Sequence, residues 1–152
     1  MDTVWESERE GFLISTDREK INLEFVHHYL SGESYWASQI PFETVQKSIA
    51  GSLCFGIYEG ERQVGFARVI TDLATYGYLA DVFIAEDYRG RSLGTWLIQS
   101  IMSHPELQGF RIWQLATRDA HGLYAKLGFG PLEDPGRIMS KKDPEIYKKS
   151  RI

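Results

Sequence analysis

The stretch FIAEDYRGRSLGTWLIQSI, residues 83–101, joins an apolar run to an amphipathic one through a short turn that carries two glycines and two arginines. The run before the turn, 78–85, is rich in aromatic and β-branched residues and predicts a strand. Apolar residues recur after the turn at helical spacing: Leu93, Trp96, Leu97 and Ile101. They predict a helix over 92–103, so the turn opens a helix. Free backbone N–H groups and the helix dipole favour an anion there, and glycine allows backbone to approach a ligand closely. A phosphate or pyrophosphate is therefore the expected ligand of this turn.

Two common phosphate-binding motifs do not fit this turn. Gly90 and Gly94 are spaced wrongly for the dinucleotide fingerprint, and no third glycine follows them at the required position. A P-loop needs a lysine after its last glycine, whereas Gly94 is followed directly by Thr95. The turn is thus either an anion site of another type, with added charge from Arg89 and Arg91, or an ordinary connection with solvated arginines.

Composition limits the classes of protein that the chain can represent. Its 152 residues fit one domain, 1–152, and a net charge of −4 argues against a nucleic-acid binder. The single cysteine, Cys54, lies in an apolar run and is expected in the core of a protein from a reducing compartment. The acidic start MDTVWESERE predicts no signal peptide, and no apolar run reaches membrane-spanning length. We therefore expect a cytoplasmic protein with no membrane partner.

The pattern along the chain predicts alternating helices and strands without internal repeats. A first helix over 15–32 could be capped by Ser15, Thr16 or Asp17. The predicted elements are, in order, a strand at 11–16, helices at 15–32 and 41–51, a strand hairpin at 53–70, a strand at 76–85, the helix at 92–103, a strand at 110–117, a short helix at 119–128 and a final extended stretch at 130–140. Strands that meander in the middle of the chain indicate a mixed α/β layered domain.

Two segments together resemble a known family. VFIAEDYRGRSLGTWLI, residues 82–98, resembles motif A of the GNAT superfamily of N-acetyltransferases, and HGLYAKLGFGPL, residues 121–132, resembles its motif B. The resemblance implies a GNAT-like fold, a central and mostly antiparallel mixed sheet flanked by helices. It also implies acceptor-side helices at about 16–51 and an acetyl-CoA-binding core at about 78–130. The motif's middle glycine is replaced here by Ser92, whose side chain could cap the helix or donate to phosphate.

The resemblance also implies how acetyl-CoA binds. The pyrophosphate would contact the turn, through Arg89, Gly90, Arg91, Ser92, Leu93, Gly94 and Thr95. The pantetheine arm would run beside the strand 81–85, which carries a bulge in the family and splays from its neighbour. The backbone N–H of Ile84, and that of Phe83 as a second candidate, would polarise the thioester carbonyl.

Tyr124 in motif B is the predicted general acid and would also contact the cofactor. A phenol with a reference pKa of about 10 is protonated at neutral pH and can protonate the departing CoA thiolate. The other interpretation is an aromatic residue that only packs, because Leu123 and Leu127 flank it.

The acceptor side is less well defined by the sequence. Asp81, in an otherwise apolar strand, could hold the amine or remove its proton directly or through water, or it could simply face solvent. The stretch LADVFIAEDYRG, residues 79–90, resembles the polyamine acetyltransferase branch, in which acidic residues here contact the amine. His121 could face the same cleft or be structural. Tyr35 and Trp36 could form an aromatic wall for the amine or close the core.

We interpret the sequence as an enzyme that transfers an acetyl group from acetyl-CoA to a primary amine of a small molecule by direct attack in a ternary complex. The sequence shows no activated Ser or Cys that would form an acyl-enzyme. It also shows no spacing of His and Cys that is typical of a metal site, so we expect no metal. Two alternatives remain, a non-catalytic CoA-binding regulatory module and an enzyme that acetylates a protein amine. By analogy with the family we expect a homodimer.

Overall fold

Six strands and five helices make up the chain in the computed structural model, which describes residues 3–149. The strands are β1 (Glu6–Arg9), β2 (Phe12–Ser15), β3 (Leu53–Glu59), β4 (Arg62–Thr71), β5 (Tyr76–Ile84) and β6 (Ile112–Gln114). The helices are α1 (Leu23–Gly32), α2 (Phe42–Ala50), α3 (Leu93–Met102), α4 (His121–Ala125) and α5 (Ile146–Lys149). Within residues 3–149 no helix is long and apolar enough to span a membrane.

The strands form one sheet in the order β1-β2-β3-β4-β5-β6. Neighbouring strands are antiparallel except β5 and β6, which are parallel and are connected through α3. One face of the sheet packs against α3 and α4, and the other packs against α1 and α2. Alternate residues supply the two cores; Cys54 faces α1 and α2, and Phe55 faces α3. The mixed α/β fold with a mostly antiparallel sheet is confirmed.

A bulge interrupts β5 in the middle of the sheet. Arg68 pairs with Ala80 and Phe66 pairs with Phe83, so Ala67 alone faces two residues of β5. The first of these, Asp81, has a φ of 54°, in the left-handed region that few side chains adopt. Pairing between β5 and β6 ends at Tyr78. The β6 side of residues 79–84, called here the open edge of β5, is therefore left without a strand partner.

The first helix starts later than the sequence suggested. Asp17 accepts a hydrogen bond from the N–H of Glu19 and caps only a 3₁₀ turn, after which Ile21 is extended. The α-helix begins at Leu23, and its N-cap is Asn22, whose side chain accepts from the N–H of Phe25 at 3.0 Å. The N–H of Asn22 donates to the Gln63 side chain at 2.8 Å. This tertiary contact fixes the start of α1 beside β4, which a local capping pattern cannot show.

Two predictions about strands were wrong or incomplete. Residues 130–140 form no strand; they are exposed, and Pro135–Arg137 form a 3₁₀ turn. The sheet therefore ends at β6, and residues 130–140 add no strand to it. Conversely, the sequence ESER gave no strand signal, yet β1 pairs with β2 through a turn at Glu10 and Gly11, both with positive φ. Charged side chains are common on edge strands, where they discourage further pairing.

The cap assignment can be tested by stability. Asn22→Ala removes the acceptor for the Phe25 N–H and should lower the free energy of unfolding by about 1 kcal/mol. Asp17→Ala, which removes only the cap of an exposed 3₁₀ turn, should cost less. Urea unfolding followed by circular dichroism measures both. A larger loss of stability in Asp17→Ala than in Asn22→Ala would instead mean that the first helix starts near Asp17, as the sequence pattern predicted.

Candidate active site

The turn before α3 offers backbone donors to a ligand. Gly90 has a φ of 81° and Ser92, the N-cap of α3, has a φ of 61°. The first helical bond runs from the N–H of Trp96 to the carbonyl of Ser92, so the N–H groups of Leu93, Gly94 and Thr95 have no partner within the helix. A Cβ on Gly94 would meet only a side-chain carbon of Ile84, at 3.8 Å. The space in front of this backbone is therefore open, as an anion site requires.

Ser92 adopts a conformation that normally favours glycine. A left-handed residue other than glycine costs about 1–2 kcal/mol, which explains physically why a glycine occupies this place in the motif. The Ser92 side chain makes no capping hydrogen bond, so the expectation that it caps α3 was wrong. The left-handed backbone turns the hydroxyl away from the usual N-cap geometry.

The two arginines of the turn have different contacts. Arg89 donates from Nε to the Ile84 carbonyl at 3.0 Å and from Nη2 to the Tyr29 hydroxyl at 3.1 Å. It thereby ties the turn to the end of β5 and to α1. Arg91 lies over the Tyr88 ring, 4.9 Å from its centroid. Both arginines are exposed, and both add positive charge beside the backbone donors.

The end of β5 presents one of the two predicted backbone donors. The N–H of Ala85 donates to the carbonyl of Val64 at 2.8 Å, so it points towards β4. Because backbone groups alternate along a strand, the N–H of Ile84 points to the open edge, and that of Phe83 points to β4. The Phe83 ring packs on the α1 side, stacked on Tyr29 with centroids 3.9 Å apart. Of the two donors, Ile84 is the one left available.

The loop after α1 brings two aromatic side chains to the open edge. The indole Nε1–H of Trp36 donates to Oδ1 of Asp81 at 2.7 Å, and Tyr35 packs edge-on against Trp36 with ring centroids 5.0 Å apart. The Tyr35 hydroxyl accepts from the N–H of Arg118 at 2.9 Å. Tyr35 and Trp36 are 47% and 41% exposed, so they do not close the core. We call this pair the acceptor wall.

Asp81 is paired rather than solvent-facing. Its Oδ2 accepts from Nε of Arg68 at 2.6 Å, and the side chains of Arg68 and Asp81 are only 16% and 10% exposed. Arg68 also donates from Nη1 to the Ser52 hydroxyl at 3.0 Å. Sequence reasoning missed Arg68, although a lone arginine within the apolar strand sequence VGFARVI indicates a buried charge that needs a partner.

Tyr124 lies in the core on the face of the sheet that packs against α3 and α4. It is 8% exposed and packs edge-on against Phe129, and its hydroxyl has no hydrogen-bond partner within residues 3–149. Burial raises the pKa of the Tyr124 phenol above its ordinary value, and the nearby Tyr35 phenol raises this pKa further. Tyr124 is therefore protonated at neutral pH. His121, by contrast, is exposed at the start of α4, and no hydrogen bond or ion pair in the described part of the chain joins it to the other predicted residues.

A cleft of about 580 Å³ lies between α1 and the end of β5. Its lining residues are Phe25, His28, Tyr29, Glu33, Arg62, Ala85, Glu86 and Asp87. Tyr29 also packs against Trp36, with ring centroids 6.4 Å apart, so the cleft adjoins the acceptor wall. None of these lining residues had been predicted from the sequence, because they come from three separate segments. Among residues 3–149, no three His, Cys, Asp or Glu side chains are grouped as metal ligands.

Comparisons with known proteins agree on one family. A family model for the acetyltransferase (GNAT) domain matches residues 50–131. A protein of Gibberella zeae, named as a proposed acetyltransferase, is 31% identical over 140 residues, and the match covers 78% of each chain. The structure of a GNAT-family protein from Xanthomonas campestris pv. campestris superposes with a TM-score of 0.89 at 44% identity, covering 92% of this chain and 99% of that one.

A more distant structure shares the fold alone. This is a predicted acetyltransferase of Clostridium acetobutylicum, determined with acetyl-CoA, which is 12% identical with a TM-score of 0.52 and covers 66% of this chain and 71% of that one. The family model spans more than half of the chain and includes the turn, the open edge of β5 and Tyr124. The chain therefore belongs to the GNAT family of acetyl-CoA-dependent acetyltransferases.

Proposed function

We propose that this acetyltransferase acts on the primary amine of a small molecule, by direct attack of the amine on the thioester while both substrates are bound. The observation that carries the proposal is the convergence at the open edge of β5. The N–H of Ile84 points to this unpaired edge, Trp36 of the acceptor wall is hydrogen-bonded to Asp81 on it, and the Tyr124 phenol lies close enough to Tyr35 for the two to interact electrostatically.

The residues of the turn fit the pyrophosphate of acetyl-CoA. The N–H groups of Leu93, Gly94 and Thr95 would bind its oxygens, while Arg89 and Arg91 supply positive charge. Gly90 and Ser92 hold the left-handed conformations that shape the turn. Acetyl-CoA supplies an acetyl group activated as a thioester. The N–H of Ile84 would polarise its carbonyl as a preorganised donor.

Tyr124 would act as the general acid. As the amine nitrogen bonds to the carbonyl carbon, the carbon–sulfur bond breaks and the sulfur leaves with its electron pair. Tyr124 would give its phenolic proton to that thiolate, because burial keeps the phenol protonated until then. A bound ammonium would lose one proton before the attack, to Asp81 or to a water relay. Its nitrogen would lose a second proton as the amide forms, and this proton would return through water to the Tyr124 phenolate.

The cleft beside the acceptor wall supports a small cationic acceptor. Its volume of about 580 Å³ is typical of small-molecule sites. Glu33, Glu86 and Asp87 give it negative charge, offset in part by Arg62, and the rings of Phe25 and Tyr29 add apolar surface. An ammonium group would be attracted to both features.

A protein amine is the second candidate acceptor. The observation in its favour is the exposure of Tyr35 and Trp36, since an aromatic pair at the surface is also accessible to a peptide. The cleft favours a small-molecule acceptor. The two possibilities can be distinguished by which substrates the enzyme acetylates.

A homodimer remains part of the proposal. β6 ends the sheet at an edge of three residues, and apolar side chains of the following segment are exposed, including Ile138 and Met139. Exposed edges and apolar surface are commonly covered in oligomers.

The acceptor class can be tested with a panel. Purified enzyme would be supplied with acetyl-CoA and, in turn, with spermidine, alkyl diamines, amino acids, amino sugars or lysine-containing peptides, and released CoA would be measured with a thiol reagent. We expect release with small amines, and the highest kcat/KM for those with a net positive charge. Release with peptides alone would instead support the protein acceptor.

The pyrophosphate site can be tested with Gly94→Val. A Cβ at this position meets only Ile84 within 4 Å, so we expect the variant to fold. The added side chain would lie at the turn backbone that is proposed to contact the phosphate. Calorimetry should show affinity for CoA reduced by roughly tenfold or more, comparable to the loss of a charge-assisted hydrogen bond. Gly32→Val, another helical glycine with open space around it, is the control. Equal CoA affinity in both variants would remove the turn from the binding site.

The role of Tyr124 can be tested with Tyr124→Phe, which keeps the ring and its packing. Loss of the proton donor should lower kcat by about a hundredfold, while the affinity for acetyl-CoA changes little. The best acceptor of the panel serves as substrate. A kcat close to that of the unmodified enzyme would mean that Tyr124 only packs.

A further inference from the structure

The carboxylate of Asp81 has a hydrogen-bond donor on each oxygen. Trp36 Nε1–H lies 2.7 Å from Oδ1, and Arg68 Nε lies 2.6 Å from Oδ2. Both are short, and the second is charge-assisted within a largely buried pair. Each oxygen of Asp81 therefore accepts a hydrogen bond from within the protein, and the two bonds together fix the orientation of the carboxylate.

Arg68 depends on Asp81 for its charge partner. In the described residues, the only other side chain to which the Arg68 guanidinium, 16% exposed, is hydrogen-bonded is that of Ser52. A buried charge that loses its partner is strongly destabilising. The ion pair therefore fixes the Asp81 side chain in place.

The same contacts hold together four separate segments. Arg68 is on β4, Asp81 is on the bulge of β5, Trp36 is in the loop after α1, and Ser52 lies between α2 and β3. Of these four residues, Asp81 is the one whose backbone is left-handed, with a φ of 54°. An aspartate tolerates this conformation because its short side chain can form local hydrogen bonds.

We propose that Arg68, Asp81 and Trp36 form a positioning clamp that fixes the acceptor wall to the bulge of β5. This proposal rests on the proposed function, because it assigns roles within the same acceptor site. Asp81 acts as a positioning residue. It holds the indole of Trp36, a side chain that is 41% exposed, through the hydrogen bond to Nε1.

The other contacts of the loop explain why this bond matters. The Ser34 hydroxyl accepts from the N–H of Ala37 at 3.1 Å, and Tyr35 accepts from the N–H of Arg118 at 2.9 Å. These bonds hold the beginning of the loop and its contact with the segment before α4. The Trp36–Asp81 bond joins the loop to the sheet at the reacting position. Without it, the acceptor wall would lose its fixed orientation towards the open edge.

Two substitutions separate positioning from proton transfer. Trp36→Phe keeps an aromatic ring and removes only the indole N–H, at a surface position where the protein should still fold. Asp81→Asn removes the charge that pairs with Arg68, and it leaves Trp36 only a neutral amide oxygen, which is a weaker acceptor and is no longer held in place by Arg68. Asp72→Asn is the matched control, an aspartate at the other end of the β4–β5 hairpin whose carboxylate accepts the N–H groups of Ala74 and Thr75.

Kinetics with the best acceptor of the amine panel provide the first measurement. The clamp predicts that Trp36→Phe and Asp81→Asn each raise the acceptor KM by roughly tenfold, the size of one hydrogen bond to a charged group, while kcat falls by less than about threefold. The double variant should be no worse than the worse single variant, because both act through one contact. A kcat lowered by about a hundredfold in Asp81→Asn, with Trp36→Phe unchanged, would make Asp81 the base and overturn the proposal.

Hydrogen exchange measured by mass spectrometry provides the second measurement and needs no acceptor. The peptide that covers residues 33–40 should exchange faster in Trp36→Phe and Asp81→Asn than in the unmodified protein or Asp72→Asn. Unchanged exchange in both variants would overturn the clamp. If no amine of the panel is acetylated, the proposed function fails, and this measurement still decides whether the clamp exists.

Discussion

The extra residue of β5 opposite Ala67 is the constraint on which the site depends. From Tyr76 to Tyr78, β5 is hydrogen-bonded on both sides, to β4 and to β6. After Tyr78, β5 follows β4 alone, and the backbone from residue 79 to residue 84 faces no strand on the β6 side. Unpaired backbone groups are unfavourable unless water or a ligand satisfies them. The bulge thus lies within the part of β5 that is an edge, and the end of that edge at Ile84 lies beside Gly94 in the first turn of α3.

The bulge is stabilised by tertiary contacts that differ in kind from the rest of the sheet. The left-handed conformation of Asp81 costs about 1–2 kcal/mol for an ordinary residue. Hydrogen bonds from Arg68 and Trp36 to the Asp81 carboxylate offset that cost. The environments of the two ionisable side chains near the edge are accordingly opposite. Asp81 is a carboxylate held against a guanidinium, whereas Tyr124 is a phenol whose pKa is raised mainly by burial.

Local chemistry explains why some elements could be predicted and others could not. The turn was predictable because its glycines, its arginines and the helical spacing after Leu93 lie within one short stretch. The start of α1 was not, because Asp17 and Asn22 are both good caps and the choice depends on Gln63, 41 residues away. The strand expected at 130–140 failed because Pro135 and Gly136 favour a turn. β1 was missed because its charged side chains suit an edge and carry no apolar alternation.

The sequence by itself determined the family and the position of the turn before α3, and it predicted a role for Tyr124, because each depends on residues that are close together in the chain. It also named Asp81, Tyr35 and Trp36, but without their relation to one another. Only the tertiary structure decided that Asp81 is paired on both oxygens and that the aromatic pair is held to β5. The partners come from β4, β5 and the loop after α1, as many as 45 residues apart, and chain folding alone brings them within hydrogen-bond distance.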